Sequence, residues 1–484
     1  MYKAYITKLT NVRPHPNADR LLLGDCFGNT VCVSTEYTDG QVGIYFPTDG
    51  QVSVEYAEYN NLLRKKDAEG NNVGGYMDPN KRNVCAIKLR GEKSDGLFMP
   101  LESLAWAGDI STLKVGDAID IWNGKEICKK YIPAVREGKA HGGQPNRSAK
   151  RAKRTIAPTF FEHADTEQLA YNLSAFKPGD EVEITLKMHG TSQRTGYHKV
   201  FKGWKVNRLF QGFVDKYTFN PTDNKFVEKC LKFVMKDATP IYNWDYVSGT
   251  RRVVLETYDG GFYGDNAFRK QHADVFEGKL WKGETVYYEV VGFTDTGAPI
   301  MGSCENSKVK DKEFTKQYGK TTTFSYGCVS NTDVCMDDEI FNTSNCINAP
   351  KKSDIYVYRM TMTNEDGNVI EYTPDFMRYR CEMMGVKTVP VFWKGAIPEN
   401  PGSADDDTIS AGEWIMNVAE RFYDGPDPVG KTHIREGVVV RVLNRPTFKA
   451  YKHKNFFFKV LEGIVKDTAD APDMEEAEEF NKGE

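Results

Sequence analysis

The chain has 484 residues, with 64 Lys and Arg against 68 Asp and Glu, a net charge of −4. At roughly 100–200 residues per domain, that length implies two or three domains, and a 40% hydrophobic share with 12% aromatics excludes wholesale disorder. No apolar run approaches the roughly 18 residues that a bilayer-spanning helix needs, and residues 1–8 are not a charged segment leading into an apolar stretch. A soluble, cytoplasmic protein is expected.

The ten cysteines show no C-x-x-C pair, so zinc-ribbon spacing is missing. Their irregular spacing in a long chain points to free thiols. The sequons at Asn172 and Asn342 are then chance matches.

Residues 1–130 carry short alternating segments: Val31-Cys32-Val33, 42–46, 84–89, Leu97-Phe98-Met99 and 118–122. Breakers such as Pro14, Pro16, Asp39-Gly40 and Gly116-Asp117 separate them. Several short strands at that spacing predict a small sandwich or barrel, and the size fits an OB-type barrel with added loops. Next comes a basic stretch. Residues 125–154 hold ten basic side chains and two acids, a net +8, with Gly138, Gly142, Gly143 and Pro145 among them. This composition predicts a flexible linker over 131–157, either simply solvated or a phosphate-contacting arm.

From 158 to 465 the pattern is α+β. Residues 181–187 alternate strictly, with Val182, Ile184 and Leu186 on one face. Segments 285–293, 355–361, 437–442 and 455–460 are further predicted strands, and 224–235 and 411–423 are predicted helices. Helices and strands do not alternate regularly, which argues against a doubly wound parallel sheet. Residues 466–484 hold eight acids and two lysines and are expected to form a disordered acidic tail.

The most informative segment is Lys187-Met188-His189-Gly190-Thr191-Ser192. A lysine ends the polar face of a strand, and a glycine three residues later permits a tight turn and close approach of a ligand. By itself this pair carries little weight, because solvated lysines end many strands. Glu289 adds to it, an acid inside the apolar run 287–292 that is costly unless paired or used. Glu436 leads the β-branched run 437–442, and Lys452 and Lys454 share a strand face at spacing two. Two acids and three lysines are thus all presented by predicted strands. One polar site in a sheet cleft explains them together; separate edge-strand salt bridges explain each singly. His189 has no second histidine at ligand spacing and is expected to shape the turn, and His433 is expected to be structural.

In this order, Lys187-x-x-Gly190, the Glu289 strand, Glu436-Gly437 and Lys452-x-Lys454 resemble the motifs of the covalent nucleotidyltransferase superfamily. That superfamily comprises polynucleotide ligases and mRNA capping enzymes. The His-Gly-Thr-Ser continuation is similar to its RNA ligase branch, Ser248 to Leu255 to that branch's arginine motif, and Ile355 to Met360 to its aromatic strand, with Tyr356 and Tyr358 both open as the adenine-packing ring. Residues 14–21, 43–46 and 89–97 resemble the OB-like domain that precedes the ligase domain in amoeba-type RNA ligases and their phage relatives. The segment between Lys187 and Glu289 is longer than in the compact phage enzymes.

The resemblance implies an N-terminal OB-like β-barrel followed by a nucleotidyltransferase domain of antiparallel sheets with flanking helices. It implies an ATP-dependent RNA ligase, a monomer with no membrane association, that seals 3′-OH and 5′-phosphate ends in RNA repair. Lys187 would attack the α-phosphate of ATP and become lysyl-AMP. Lys452, Lys454 and Arg251 would stabilise the reacting phosphates, Gly190 would let the nucleotide approach, and Glu289 would bind the ribose. Glu436 would help hold Mg²⁺ or Mn²⁺, which carboxylates with water suit. The competing readings are a DNA ligase or capping-type enzyme using the same lysine, disfavoured by His-Gly-Thr-Ser and by the barrel standing first, and a non-catalytic nucleic-acid-binding protein.

Overall fold

The computed structural model describes residues 2–461 apart from 49, 67–71, 132–155, 165, 219–223, 252–253, 256–257, 259–266, 296–299, 301–303, 307–308, 310, 320–322, 325–352, 403–408 and 431–432. Nearly all of the expected linker and the whole expected acidic tail lie outside the described residues. No helix among the described residues is long and apolar enough to cross a membrane. Cys26, Cys32, Cys85, Cys128, Cys230 and Cys381 are free thiols.

The N-terminal segments form short antiparallel strands. Leu97–Pro100, Val42–Phe46, Ala4–Lys8 and Ala118–Ile119 pair in that order. Successive side chains of a strand point to opposite faces, and Val42–Phe46 buries both: Ile44 and Phe46 pack with Ile6, Val52 and Tyr56, while Tyr45 packs with Leu9, Val31 and Phe98. Two three-stranded units stand beside it, Thr10–Pro14, Leu21–Cys26 and Asn29–Ser34, and Cys128–Lys130, Gly50–Val52 and Asn83–Val84, with two-stranded pairs at Ala86–Leu89 and Glu92–Asp95, Ile121–Trp122 and Lys125–Glu126, and Lys65–Lys66 and Asn72–Gly74. Among the described residues these strands pair as separate small sheets and do not close into one barrel.

The second half is built on two larger sheets. The first runs Glu167–Gln168, Lys449–Lys454, Gly437–Val442, Glu181–Leu186, Val391–Ala396. The predicted alternation explains its burial. Val182, Ile184, Val438, Val440 and Val442 pack against Ile415, Met416, Val418 and Ala419 of the helix Ala411–Tyr423. That helix opens on a capping box, Ser410 with Glu413, which satisfies two otherwise orphaned backbone donors.

The second sheet runs Val254–Leu255, Thr239–Thr250, Thr191–Lys205, Glu284–Gly292, Ser353–Thr363, with Val369–Glu371 and Lys387–Thr388 both pairing to the last of these. Val286, Tyr288, Val290, Ile355 and Val357 pack on Phe268 of the helix Ala267–Asp274 and on Met377, Cys381 and Met384 of the helix Pro374–Met384. Sequence periodicity leaves these two helices unmarked. The helix Lys225–Val234 forms where predicted, with Asn224 accepting from Phe226 N and Val227 N. Segment 455–460 differs from expectation: Phe456–Leu461 is a helix. Asn455 Oδ1 accepts from Phe458 N at 3.2 Å, and Phe456, Phe458, Val460 and Leu461 are buried with Phe314 and Ile434. A continuous apolar run carries no period to separate strand from helix.

Helix Pro374–Met384 is tied to the second sheet by a buried ion pair. Arg380 Nη2 donates to Glu284 Oε2 at 2.7 Å and Nε to Oε1 at 2.9 Å. Tyr372 OH and Trp281 N also donate to Glu284, at 2.9 and 2.7 Å. Removing one partner leaves an uncompensated buried charge. Arg380→Met alone is expected to cost about 3–5 kcal/mol in urea denaturation, and Arg380→Met with Glu284→Gln markedly less than that. Equal losses in the two variants would contradict this account of the pair.

Candidate active site

Cross-strand register aligns polar side chains on the face of the first sheet opposite its apolar core. Glu183, Arg441 and Ala450 form one row, and Thr185, Val439 and Lys452 the next. Lys187 N donates to Gly437 O at 3.0 Å, and Gly437 pairs with Lys454, which makes the third row. Gly437 has φ +141°, and a Cβ there would lie 2.2 Å from His453 O, so only glycine fits between the two lysines.

Glu183, Thr185, Lys187, Val439, Arg441 and Ala450 of these rows floor a cleft of about 570 Å³, within the range of ligand pockets. Thr191, Ser192, Thr250, Arg251, Glu289 and Tyr358 of the second sheet line it as well. Gly190 lets the two walls meet: a Cβ there would lie 2.6 Å from Val290 O and 2.7 Å from Glu289 Cγ. Ser192 pairs in register with Glu289 on the neighbouring strand.

Glu436 organises the charges. It is only 3% exposed, and its Oε1 lies 2.7 Å from Lys187 Nζ and 3.1 Å from Lys454 Nζ. His189 Nδ1 is 3.6 Å from Oε2, which accepts no hydrogen bond. Burial acts to raise this carboxyl, but Lys187, Lys454 and His189 outweigh it and hold Glu436 well below the usual carboxylate range. Glu289 goes the other way. Burial, reinforced by the Glu436 charge, raises it to about 7 against the pull of Lys187. Two neighbouring carboxyls are thus poised in different protonation states.

The two tyrosines divide. Tyr358 lines the cleft, shares a 2.8 Å hydrogen bond with Ser192 Oγ and meets His163 edge-on at 5.0 Å. Tyr356 is 6% exposed and packs beneath, with Leu186, Met188, Val291 and Val389. Lys452 and Lys454 share the cleft-side face by register, yet neither they nor Tyr356 is part of the cleft wall. Lys454 reaches Glu436 and also lines an adjoining cavity of about 170 Å³. Arg251 is exposed on the cleft wall. Its carbonyl and that of Thr250 accept from the buried Arg194 Nη1 at 2.7 and 2.6 Å.

Further groups enter the site that the sequence reading did not name. Arg441 lines the cleft with its guanidinium 5.0 Å from the Phe448 ring and donates to Tyr372 O. Arg378 lines it too and pairs with Glu183 at 2.8 Å. Arg269 is buried and donates to Thr191 Oγ1 at 2.8 Å, holding the turn after Gly190. Glu183 and Arg441 carried a usable signal, being the polar members of alternating strands. Arg378 and Arg269 sit on helices that the periodicity did not reveal.

Among the described residues no group of three or more His, Cys, Asp or Glu stands ready to hold a metal. Glu436, with one carboxylate oxygen accepting no hydrogen bond, suits a cation that takes its other ligands from water and phosphate, as Mg²⁺ does.

No family model matches the chain, and no curated protein matches it in sequence. Solved structures do match in fold. An RNA ligase from Naegleria gruberi with pyrophosphate superposes with a TM-score of 0.50 at 14% identity, covering 94% of this chain and 97% of that one. Structures of the same ligase as lysine-to-alanine variants with ATP and manganese give TM-scores of 0.50 at 15% identity, covering 95% of this chain and 98% of theirs. The chain therefore has the α+β fold of that RNA ligase along nearly its whole length.

The raised Glu289 carboxyl makes a prediction. A folded-state value above the unfolded one means that the folded chain binds the extra proton, so stability falls as pH rises from about 4.5 to about 7. Glu289→Gln is expected to raise stability at pH 8 by ~1–3 kcal/mol and to leave it nearly unchanged at pH 4.5. Thermal melts of both proteins across that range check it; a gain that is independent of pH would contradict it.

Proposed function

We propose that this chain is an ATP-dependent RNA ligase that joins a 3′-hydroxyl to a 5′-phosphate through a lysyl-AMP intermediate. The observation that carries the reading is Lys187 Nζ at 2.7 Å from buried Glu436, with Lys454 on the same oxygen, at a cleft of nucleotide size. The fold likeness to a ligase solved with ATP and manganese supports the same reading.

In the first step Lys187 Nζ attacks the α-phosphate of ATP, forming the N–P bond as pyrophosphate leaves. Attack requires the amine to give up its ion pair with Glu436 and its proton. Lys454 and Lys452, on one strand face, offset the negative charge that grows on the α-phosphate. Glu436 and phosphate oxygens would hold Mg²⁺ or Mn²⁺, which supplies Lewis-acid stabilisation of that charge. Glu289, held protonated more readily than an ordinary carboxyl, meets the ribose hydroxyls as donor or acceptor. Tyr358, rather than Tyr356, packs on the adenine, because its ring reaches the cleft. Arg251, at the cleft mouth, contacts the phosphates. AMP then passes to the RNA 5′-phosphate, and the 3′-hydroxyl displaces it.

Residues 1–130 act as an OB-like unit that docks nucleic acid, and residues 158–465 carry the chemistry of a monomeric enzyme of cytoplasmic RNA repair. Ile156 and Ala157 already pack with this second unit: Phe201 N donates to Ile156 O, and Ala157 is buried with Phe160 and Val200.

A sealing assay on nicked and single-stranded RNA tests the reading. Lys187→Ala is expected to lower ATP-dependent sealing by more than about a thousandfold while still joining RNA that already carries a 5′-adenylate. ATP-dependent sealing that survives Lys187→Ala would sink the mechanism.

A further inference from the structure

The strands Thr191–Lys205 and Thr239–Thr250 form a long hairpin, paired from Gln193↔Thr250 beside the cleft to Lys205↔Thr239 at its far end. That is roughly 40 Å of strand at about 3.3 Å per residue. The described residues between the two strands include the helices Gln211–Thr218 and Lys225–Val234, and no residue of the second is buried.

The tip exposes what soluble proteins normally cover. Leu209 is 87% exposed, Phe233 80% and Phe226 74%. Val227, Cys230, Leu231 and Val234 are half-buried on the helix's inner side, so Phe226 and Phe233 are not its anchoring residues. At 100° per residue, Phe226 and Phe233 fall within about 20° of each other, and Lys229, Lys225 and Lys232 follow within an arc of about 120°; Lys236 lies in the turn just past the helix. Glu228 is the sole acid in 225–236, against four lysines. An aromatic pair is thus bordered by a continuous lysine stripe. An apolar protein partner would not select that stripe, whereas a polyanion with exposed rings matches both parts: phosphates meet lysines, and unpaired bases stack on the phenyl faces.

We propose that the hairpin tip is a second RNA-binding surface, which grips unpaired nucleotides of the strand whose end is being joined, remote from the cleft. The naming of the partner as RNA rests on the ligase reading. The hairpin's rigid pairing back to Arg251 then makes the arm a means of selecting substrates with an unpaired extension long enough to span cleft and tip.

Fluorescence anisotropy with the full chain tests this, using single-stranded RNA, blunt duplex RNA and anionic phosphatidylserine vesicles as probes. Phe226→Ala with Phe233→Ala is expected to weaken single-stranded RNA binding about tenfold or more and to change duplex binding little. Lys229→Glu with Lys232→Glu is expected to weaken RNA binding and to flatten its salt dependence. Self-adenylylation with ATP is expected to be unchanged in both variants, which also shows that they fold. Wild-type protein that binds no RNA would overturn the ligase reading itself. Wild-type binding with unchanged affinity in both variants, a wild-type preference for vesicles, or lost self-adenylylation would each overturn the arm inference alone.

Discussion

A carboxylate buried to 3% exposure with two lysines on one of its oxygens is the constraint around which the second half of the chain is arranged. A lone buried carboxylate would take up a proton or unfold its surroundings. Glu436 stays charged because Lys187 ends one strand, Lys454 ends another, and the strand between them carries Gly437 at the crossing. Every requirement of that strand order follows: valines on one face to bury helix Ala411–Tyr423, polar residues on the other, and a glycine where a side chain would collide with His453 O. The pairing also holds the lysine amine at the cleft.

The second sheet supplies the opposite electrostatic condition. Glu289 sits where burial and the Glu436 charge raise it to about 7, so placing both carboxyls in one cleft separates their protonation states instead of doubling the negative charge. Gly190 lets the two walls meet, since a Cβ there would collide with Val290 O and Glu289 Cγ. The ion pair of Arg380 with Glu284 fastens the outer helix to the far side of the same strand that carries Glu289. The stability of the core and the shape of the cleft thus depend on one strand, Glu284–Gly292.

Much of this was legible in the residues. Strict alternation in 181–187 placed Lys187 on a polar strand face, and the spacing of Lys452 and Lys454 placed both on one face; the register agrees. Helix Ala411–Tyr423 was legible from its period. Local pattern could not separate Tyr356 from Tyr358, since both lie on one face of one strand, and only packing puts Tyr356 beneath the cleft wall. Helix Phe456–Leu461 was unreadable because consecutive phenylalanines satisfy either period. Arg378 in the cleft wall and Arg269 behind it come from helices whose burial is set by distant strands, and no local period records such contacts. In the N-terminal half the alternating segments do form strands, but others, such as Ala4–Lys8 and Leu21–Cys26, went unread, and alternation does not specify how strands close: the described strands pair as separate small sheets.

The central claim is that Lys187 becomes covalently linked to a nucleotide. Intact-mass spectrometry after incubation with ATP and Mg²⁺, preceded by pyrophosphate treatment to strip any adduct already present, tests it most directly. The account predicts one AMP-sized addition, mapped by peptide analysis to Lys187 and absent from Lys187→Ala. An addition of GMP size with GTP, an adduct on another residue, or no adduct after stripping would contradict it.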